Sequence, residues 1–320
     1  SISQTVDTLK SLSKVTISGH VENNGTLLSD FNGIVYPTVF DKAATIHTLG
    51  NDGPSTIDFS VQNNIIYRGK ASVTSGRFSF TFIVPKDIAY TIGYGKISYY
   101  SDNATVDAHG YSDNILIGGS NDNAAQDNLG PEVDLYMNNT QFVFGGLTDE
   151  NPKMLSYLFV DNGINTVGNG IGHDITALLD NNDDRLLVLN DYYISDLNSY
   201  QKGTIEYPFS ELSEGSHNLK LKVWDVYNNS SESYIEFIVV KSSQLVLQHI
   251  YNYPNPFTTH TSFFFEHNQA EDELDVMIQI FNVTGKLVKT IDTKKYVTLE
   301  QLTDEIGRML GGWIKFIKER

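Results

Sequence analysis

The sequence predicts an all-β chain: tandem immunoglobulin-like β-sandwich domains, then a smaller β-sandwich that is incomplete if its last residues supply no closing strand. Three observations predict it. Apolar residues alternate at period two in short runs, and Gly, Pro and Asn clusters break those runs at short intervals. The 18 tyrosines and 17 phenylalanines among 320 residues are of the type that packs well on a pleated surface. Windows with helical spacing are few and short, and no internal repeat of fixed period is evident. This length allows two or three domains, each with a core of its own.

The first sandwich is expected over residues 1–127. Residues 1–14, with Leu9 and Leu12, read as a short helical or linking turn ahead of Lys14-Val15-Thr16-Ile17-Ser18-Gly19, which alternates like a strand. Further strands are Gly33-Ile34-Val35-Tyr36, the run 77–84 and Gly95-Lys96-Ile97-Ser98-Tyr99-Tyr100, with Pro37, Pro54, Gly69, Gly76 and Pro85 as breakers between them. The run 77–84 puts Phe78, Phe80 and Phe82 on one face and Ser79 and Thr81 on the other, so one side only is buried. The polar, small-residue stretch from Gly118 to Asn128 is the expected boundary.

The second sandwich is expected over 128–245. Its clearest part is the alternation from Gly215 to Asp225, followed by a turn at Asn228-Asn229-Ser230 and a returning strand from Tyr234 to Val240. Leu219, Leu221 and Val223 are expected in the core, with Asp225 and Asn228 shaping the turn. Residues 242–250 read as a short connection.

The last domain, 246–320, opens on Tyr251-Asn252-Tyr253-Pro254-Asn255-Pro256-Phe257. Two prolines around Asn255 fix φ twice and remove two donors, so the chain there runs extended at a sheet edge or in a turn. A strand at Ser262–Asn268 follows. Val276, Ile278, Ile280 and Val283 then lie on one side of an alternating run, and Thr284-Gly285 turns it into Lys286-Leu287-Val288. This order of a Tyr-Pro-Asn-Pro-Phe opening, a strand, a Gly turn and Lys-Leu-Val resembles the C-terminal secretion domain of type IX secretion proteins of Bacteroidetes. Several upstream segments, among them Phe31–Lys42, Phe82–Ile88, Gly172–Ile175 and Leu189–Tyr193, resemble the sortases of that system, which are gingipain-type cysteine peptidases.

Composition limits the chemistry. The formal charge of −17 disfavours attraction to phosphate backbones, so no nucleic-acid partner is expected. No run of about 18 apolar residues is present, so no helical membrane span is expected. Ser1-Ile2-Ser3-Gln4 has neither the basic start nor the apolar core of a signal peptide, and the chain is expected to be a fragment. The absence of cysteine excludes disulfides, zinc–thiolate sites and a cysteine nucleophile within these residues.

Each candidate site has a plainer reading that is favoured over it. Asp122, Asn123 and Asp127 offer oxygen ligands for calcium, but the spacing of the hand-type loop is missing and a solvated linker explains them. The carboxylates of Asp180-Asn181-Asn182-Asp183-Asp184 also read as a surface turn. Gly168-Asn169-Gly170-Ile171-Gly172-His173-Asp174 looks like a phosphate cradle, yet no dinucleotide-type unit surrounds it. His173, Asp174 and His217 lack a nucleophile on a strained elbow, so no triad is expected. Asp191-Tyr192-Tyr193 and Tyr200 could form an aromatic surface for sugar or protein; core or edge positions are the favoured reading.

The resemblance implies a parent that is a cell-surface cysteine peptidase, cleaving C-terminal signals from secreted cargo and joining the new terminus to lipopolysaccharide. Its catalytic His and Cys would lie upstream of residue 1, so no catalytic, cofactor or metal residue is assigned here. It also implies docking on an outer-membrane β-barrel, for which Tyr253, Pro254, Asn255, Pro256, Phe257, Gly285 and Lys286 are the candidate residues, and contact with cargo through the peptidase domain. After Asp304-Glu305-Ile306 the family's final turn and strand are not evident, and residues 307–320 are expected to be foreign to the domain. The alternative reading is a secreted cargo or adhesin with a removable export signal. A third is a self-contained enzyme at the Gly168–Asp174 loop.

Overall fold

Alternation in the first 120 residues produces twelve strands: β1 (Leu9–Ser11), β2 (Lys14–His20), β3 (Glu22–Asn23), β4 (Thr26–Leu27), β5 (Gly33–Phe40), β6 (Ala44–His47), β7 (Asp58–Val61), β8 (Ile65–Arg68), β9 (Ala71–Thr74), β10 (Arg77–Ile83), β11 (Gly93–Asp102) and β12 (Asp107–Ser120). The structure is a computed structural model, and it describes residues 8–51, 53, 55–166, 172–241, 245–257, 259–268, 274–282, 285–294 and 314–315. Among the described residues there is no α-helix. The chain divides into two compact units, one of Ser1–Gln141, Lys153–Pro208 and Asn218–Ile235, the other of Phe142–Pro152, Phe209–His217 and Glu236–Arg320.

In the first unit an eight-stranded sheet runs β1-β12-β11-β5-β9-β10-β2, with β8 also on β5. Leu9 and Ile117 near one end and Ile17 near the other share a single core with Val35, Val39, Phe82 and Ile97, so the sheet curls over on itself. Phe80 and Phe82 are buried and Phe78 is half-buried, on one face as the alternation requires. Tyr67 stacks on Phe82 with ring centres 4.4 Å apart and on Phe80 at 5.7 Å. Burial there pushes its hydroxyl pKa up. Phe78 lies opposite Gly19, and its ring fills the space a Cβ at 19 would need.

Three expectations fail here for identifiable reasons. Leu9 is in a strand rather than a helical turn, because β1 pairs in parallel with β12 and buries Leu9 and Ser11. Pro37 does not end a strand: β5 runs through it, opposite Tyr99 on β11. On its other side it falls where β8 hands over to β9, so its missing N–H costs the ladder little, and its carbonyl still accepts the Gly69 N–H at 3.1 Å. Gly118 and Gly119 belong to β12 with φ of 142° and 73°, so the linker begins only after Ser120.

β6 and β7 form a two-stranded ribbon between β5 and β8 in which every residue from 44 to 49 and from 55 to 60 is exposed, Leu49 by 87%. Its base is held by the Asp41–Lys42 ion pair at 2.7 Å, and the Lys42 ammonium also donates to the Ala89 carbonyl.

The next strands are β13 (Glu132–Met137), β14 (Leu147–Thr148), β15 (Lys153–Phe159), β16 (Thr176–Leu179), β17 (Leu186–Val188), β18 (Tyr193–Ser195), β19 (Lys202–Pro208), β20 (Gly215–Trp224) and β21 (Ser230–Val239). They make a four-stranded sheet, β13-β15-β19-β18, and a five-stranded sheet, β14-β21-β20-β16-β17, the two sheets of a sandwich. Leu219, Leu221 and Val223 are fully buried, as their alternation predicts. Between β20 and β21 the Asp225 carboxylate accepts the Tyr227 and Asn229 N–H groups at 2.9 and 2.7 Å, and Asn228 takes φ 71°. This is the expected turn.

In the second unit the tail contributes β22 (Leu247–Tyr253), β23 (Ser262–His267), β24 (Asp275–Phe281), β25 (Leu287–Lys294) and β26 (Ile314–Lys315). β22 pairs with β23, and β24 lies between β25 and β26. Phe263 of the first pair shares a small core with Val276 and Ile278 of the second sheet. Residues 247–250, expected as a connection, are strand, because Leu247 and Gln248 pair with His267 and Glu266 before His249 bulges at φ 49°. Ile314 and Lys315 pair along the edge of β24 that β25 leaves free, so that edge is covered over two residues.

Candidate functional site

The candidate docking residues fall in two turns of the tail. Tyr253–Phe257 form the bend from β22 to β23. Asn252 anchors it by donating to Thr261 Oγ1 at 3.1 Å and accepting from Asn255 Nδ2 at 3.3 Å, and Thr261 Oγ1 donates to the Pro254 carbonyl at 2.9 Å. Both Tyr253-Pro254 and Asn255-Pro256 are cis. Tyr253, Pro254, Asn255 and Pro256 are exposed and Phe257 is half-buried. Beside the bend Tyr251 stacks on Phe264, ring centres 5.0 Å apart. The bend therefore offers aromatic and proline surface on a hydrogen-bonded frame.

Gly285 and Lys286 lie in the turn from β24 to β25. Gly285 takes φ 78°, a left-handed conformation that glycine adopts without strain, and Asn282 Oδ1 accepts the Lys286 N–H at 2.9 Å. Both residues are exposed. The two turns belong to different sheets, and among the described residues no hydrogen bond or ring contact joins them. Val283 and Thr284 lie outside the described residues, as do Val167–Ile171, Asp304–Ile306 and Gly307–Trp313.

The other candidates fall into structural roles. Asp122 accepts from Ser120 Oγ at 3.1 Å, and the Asp127 carboxylate accepts from Asn162 Nδ2 at 2.8 Å and Asn229 Nδ2 at 3.4 Å. Asp127 is thus part of a side-chain network and not simply solvated. Asp180 holds Arg185 at 2.8 Å across the turn between β16 and β17, where Asn182 caps a single 3-10 turn at Asp183–Arg185. Tyr193 is buried, and Tyr200 packs against the first core beneath the Lys14 ammonium. Tyr192 remains exposed and meets Tyr207 edge-on.

His173 and His217 are not brought into a common catalytic arrangement. His217 is buried, its Nε2 2.6 Å from the Ser213 carbonyl, and its ring stacks on Phe237. His173 Nδ1 instead bonds Asp87 Oδ2 at 2.6 Å, and its ring lies 4.4 Å from that of Trp224. Asp87 also accepts from Asn228 Nδ2 at 2.8 Å and Asn165 Nδ2 at 3.3 Å. Sequence reasoning included Asp87 in the Phe82–Ile88 segment but gave it no role of its own. Its chemistry is set by residues 78 to 141 positions away.

An all-β chain of stacked sheets with a proline-framed, surface-exposed bend in its tail defines a protein of the β-sandwich class. The particular likeness is to PorU. The chain is 33% identical to the crystal structure of dimeric latent PorU from Porphyromonas gingivalis over 91% of its own length, with a TM-score of 0.43, and it spans 27% of that chain. It is also similar to the fibronectin(III)-like modules of CbhA from Clostridium thermocellum, at 11% identity and TM-score 0.22, covering 76% of this chain and 95% of that one. No family model and no curated protein matches the sequence.

Proposed function

We propose that this chain is the non-catalytic C-terminal part of a type IX secretion sortase, whose work is to hold a peptidase at the cell surface and to dock on the outer-membrane β-barrel of an attachment complex. The parent would be a cysteine peptidase that cleaves the C-terminal signals of secreted cargo and attaches the cargo to lipopolysaccharide; cargo would meet that peptidase domain and not these sheets. Docking would use the exposed bend at Tyr253, Pro254, Asn255, Pro256 and Phe257 and the turn at Gly285 and Lys286.

The observation that supports this reading is the Tyr-Pro-Asn-Pro-Phe segment itself, held by Asn252 and Thr261 so that its aromatic and proline surface faces solvent. The 33% identity with PorU over 91% of the chain agrees with it. The test is mass spectrometry of the mature surface protein from its native cell. A sortase keeps the residues after about 245, whereas a cargo protein or adhesin with a removable export signal loses them. Loss of that region overturns the proposal.

A further inference from the structure

A cavity of about 360 Å³ in the first unit is lined by Asn63, Ile65, Arg68, Thr166, Asp174, Val188, Asn190, Asp191 and Tyr193. Its size suits a small molecule. Ile65, Val188 and Tyr193 provide an apolar wall; the Tyr193 hydroxyl is sealed from solvent, so it is the rest of that side chain that meets the space.

The charges around this wall select the ligand. Arg68, the one cation among the described lining residues, is already matched by Asp191 at 3.2 Å. Asp174 is half-buried, and among the described residues its carboxylate takes no hydrogen bond or ion pair. A half-buried carboxylate with no protein partner favours a cation. The net charge of −17 adds a field of the same sense. Arg68 is paired with Asp191, so an anion meets no unpaired cation among the described lining residues. A bound metal ion would need more ligands than one carboxylate, and no group of three or more ligating side chains exists among the described residues.

We propose that this cavity binds a protonated primary amine on a short aliphatic chain. The ammonium lies against Asp174, and the methylenes lie along Ile65 and Val188. Asn63 and Thr166 supply further oxygens at the rim.

The test is a titration of the full chain with n-butylammonium chloride, read on the methyl NMR signals of Ile65 and Val188, beside 1-butanol at equal ionic strength. Saturable shifts with the amine and none with the alcohol are expected. Asp174→Asn, which breaks no hydrogen bond seen in the fold, should weaken binding by about tenfold, between the effects typical of exposed and buried ion pairs. Val188→Trp, at a largely exposed position, should fill the cavity and abolish the shifts while circular dichroism stays that of the parent. The proposal is overturned if the amine gives no saturable shift, if butanol binds as tightly, or if a folded Asp174→Asn or Val188→Trp protein binds like the parent.

Discussion

Asp87 and His173 are 86 residues apart in sequence and 2.6 Å apart in the fold. The carboxylate comes from the turn after β10, and the imidazole precedes β16 in the second sandwich. Asn165 and Asn228 converge on the same carboxylate, and the neighbouring Lys86 N–H donates to the Val226 carbonyl at 2.9 Å. One short turn thus ties the curled sheet to two loops of the following sandwich, the β15–β16 connection and the β20–β21 turn.

Removing that carboxylate leaves three polar side chains short of a partner. Asp87→Ala should lower the unfolding free energy by about 3 kcal/mol and His173→Ala by about 1.5 kcal/mol, with the double variant losing less than their sum. Urea denaturation of the four proteins checks it. Strict additivity would mean that the pair does not couple.

Phe82 is 1% exposed and stacks on Tyr67, so Phe82→Ala should cost about 3–5 kcal/mol. Phe78→Asp would bring a charge beside Gly19 and the Tyr99 ring, 5.7 Å from the present phenyl, and should damage the first sandwich as well. Thermal melts by near-ultraviolet circular dichroism report both, and unchanged midpoints would contradict the core described for the first unit.

Gly33 tests the approach of β5 to β11. A Cβ there would overlap the Asp102 backbone carbonyl, which cannot turn aside as a side chain could. Gly33→Ala should therefore destabilise the fold by about 1–3 kcal/mol instead of giving the usual gain of alanine in ordinary backbone. A melting temperature equal to or above that of the parent would show that the strands can separate at no cost.

Asp225 should impose a pH dependence. Burial raises its carboxyl pKa above the ordinary 3.8, with Asp127 adding to the rise while the Asn229 side chain and the Asn229 and Tyr227 amides oppose it. The folded state then keeps the proton to higher pH than the unfolded chain. The stability from this group is complete below about pH 4 and is lost as pH rises through the raised value. The difference in unfolding free energy between the parent and Asp225→Asn should fall as pH is raised from 4 to 7, and a flat difference would remove the assignment.

Local alternation made much of the fold legible. Phe78, Phe80 and Phe82 announce their buried face, and Leu219, Leu221 and Val223 do the same before a turn that Asp225 and Asn228 mark by type. Leu9 was misread because a three-residue strand has no period of its own and exists only through its parallel partner β12. Pro37 was read as a breaker because sequence cannot show that β8 and β9 change over beside it. The Tyr253–Phe257 bend was legible because proline constrains its own backbone, whereas nothing local to Asp87 or Asp174 reveals what faces them.

The ribbon of β6 and β7 leaves and rejoins its sheet at neighbouring points, since Phe40 pairs with Ile65 and the Asp41 N–H donates to the Asn64 carbonyl at 2.8 Å. Its two feet are clasped independently of what lies between them. Limited protease treatment should nick the chain between Thr48 and Ile57 first and leave both fragments associated. A version with residues 44–61 replaced by a short glycine link should still fold around the same core, which makes this loop the natural place to graft a tag or a fluorophore.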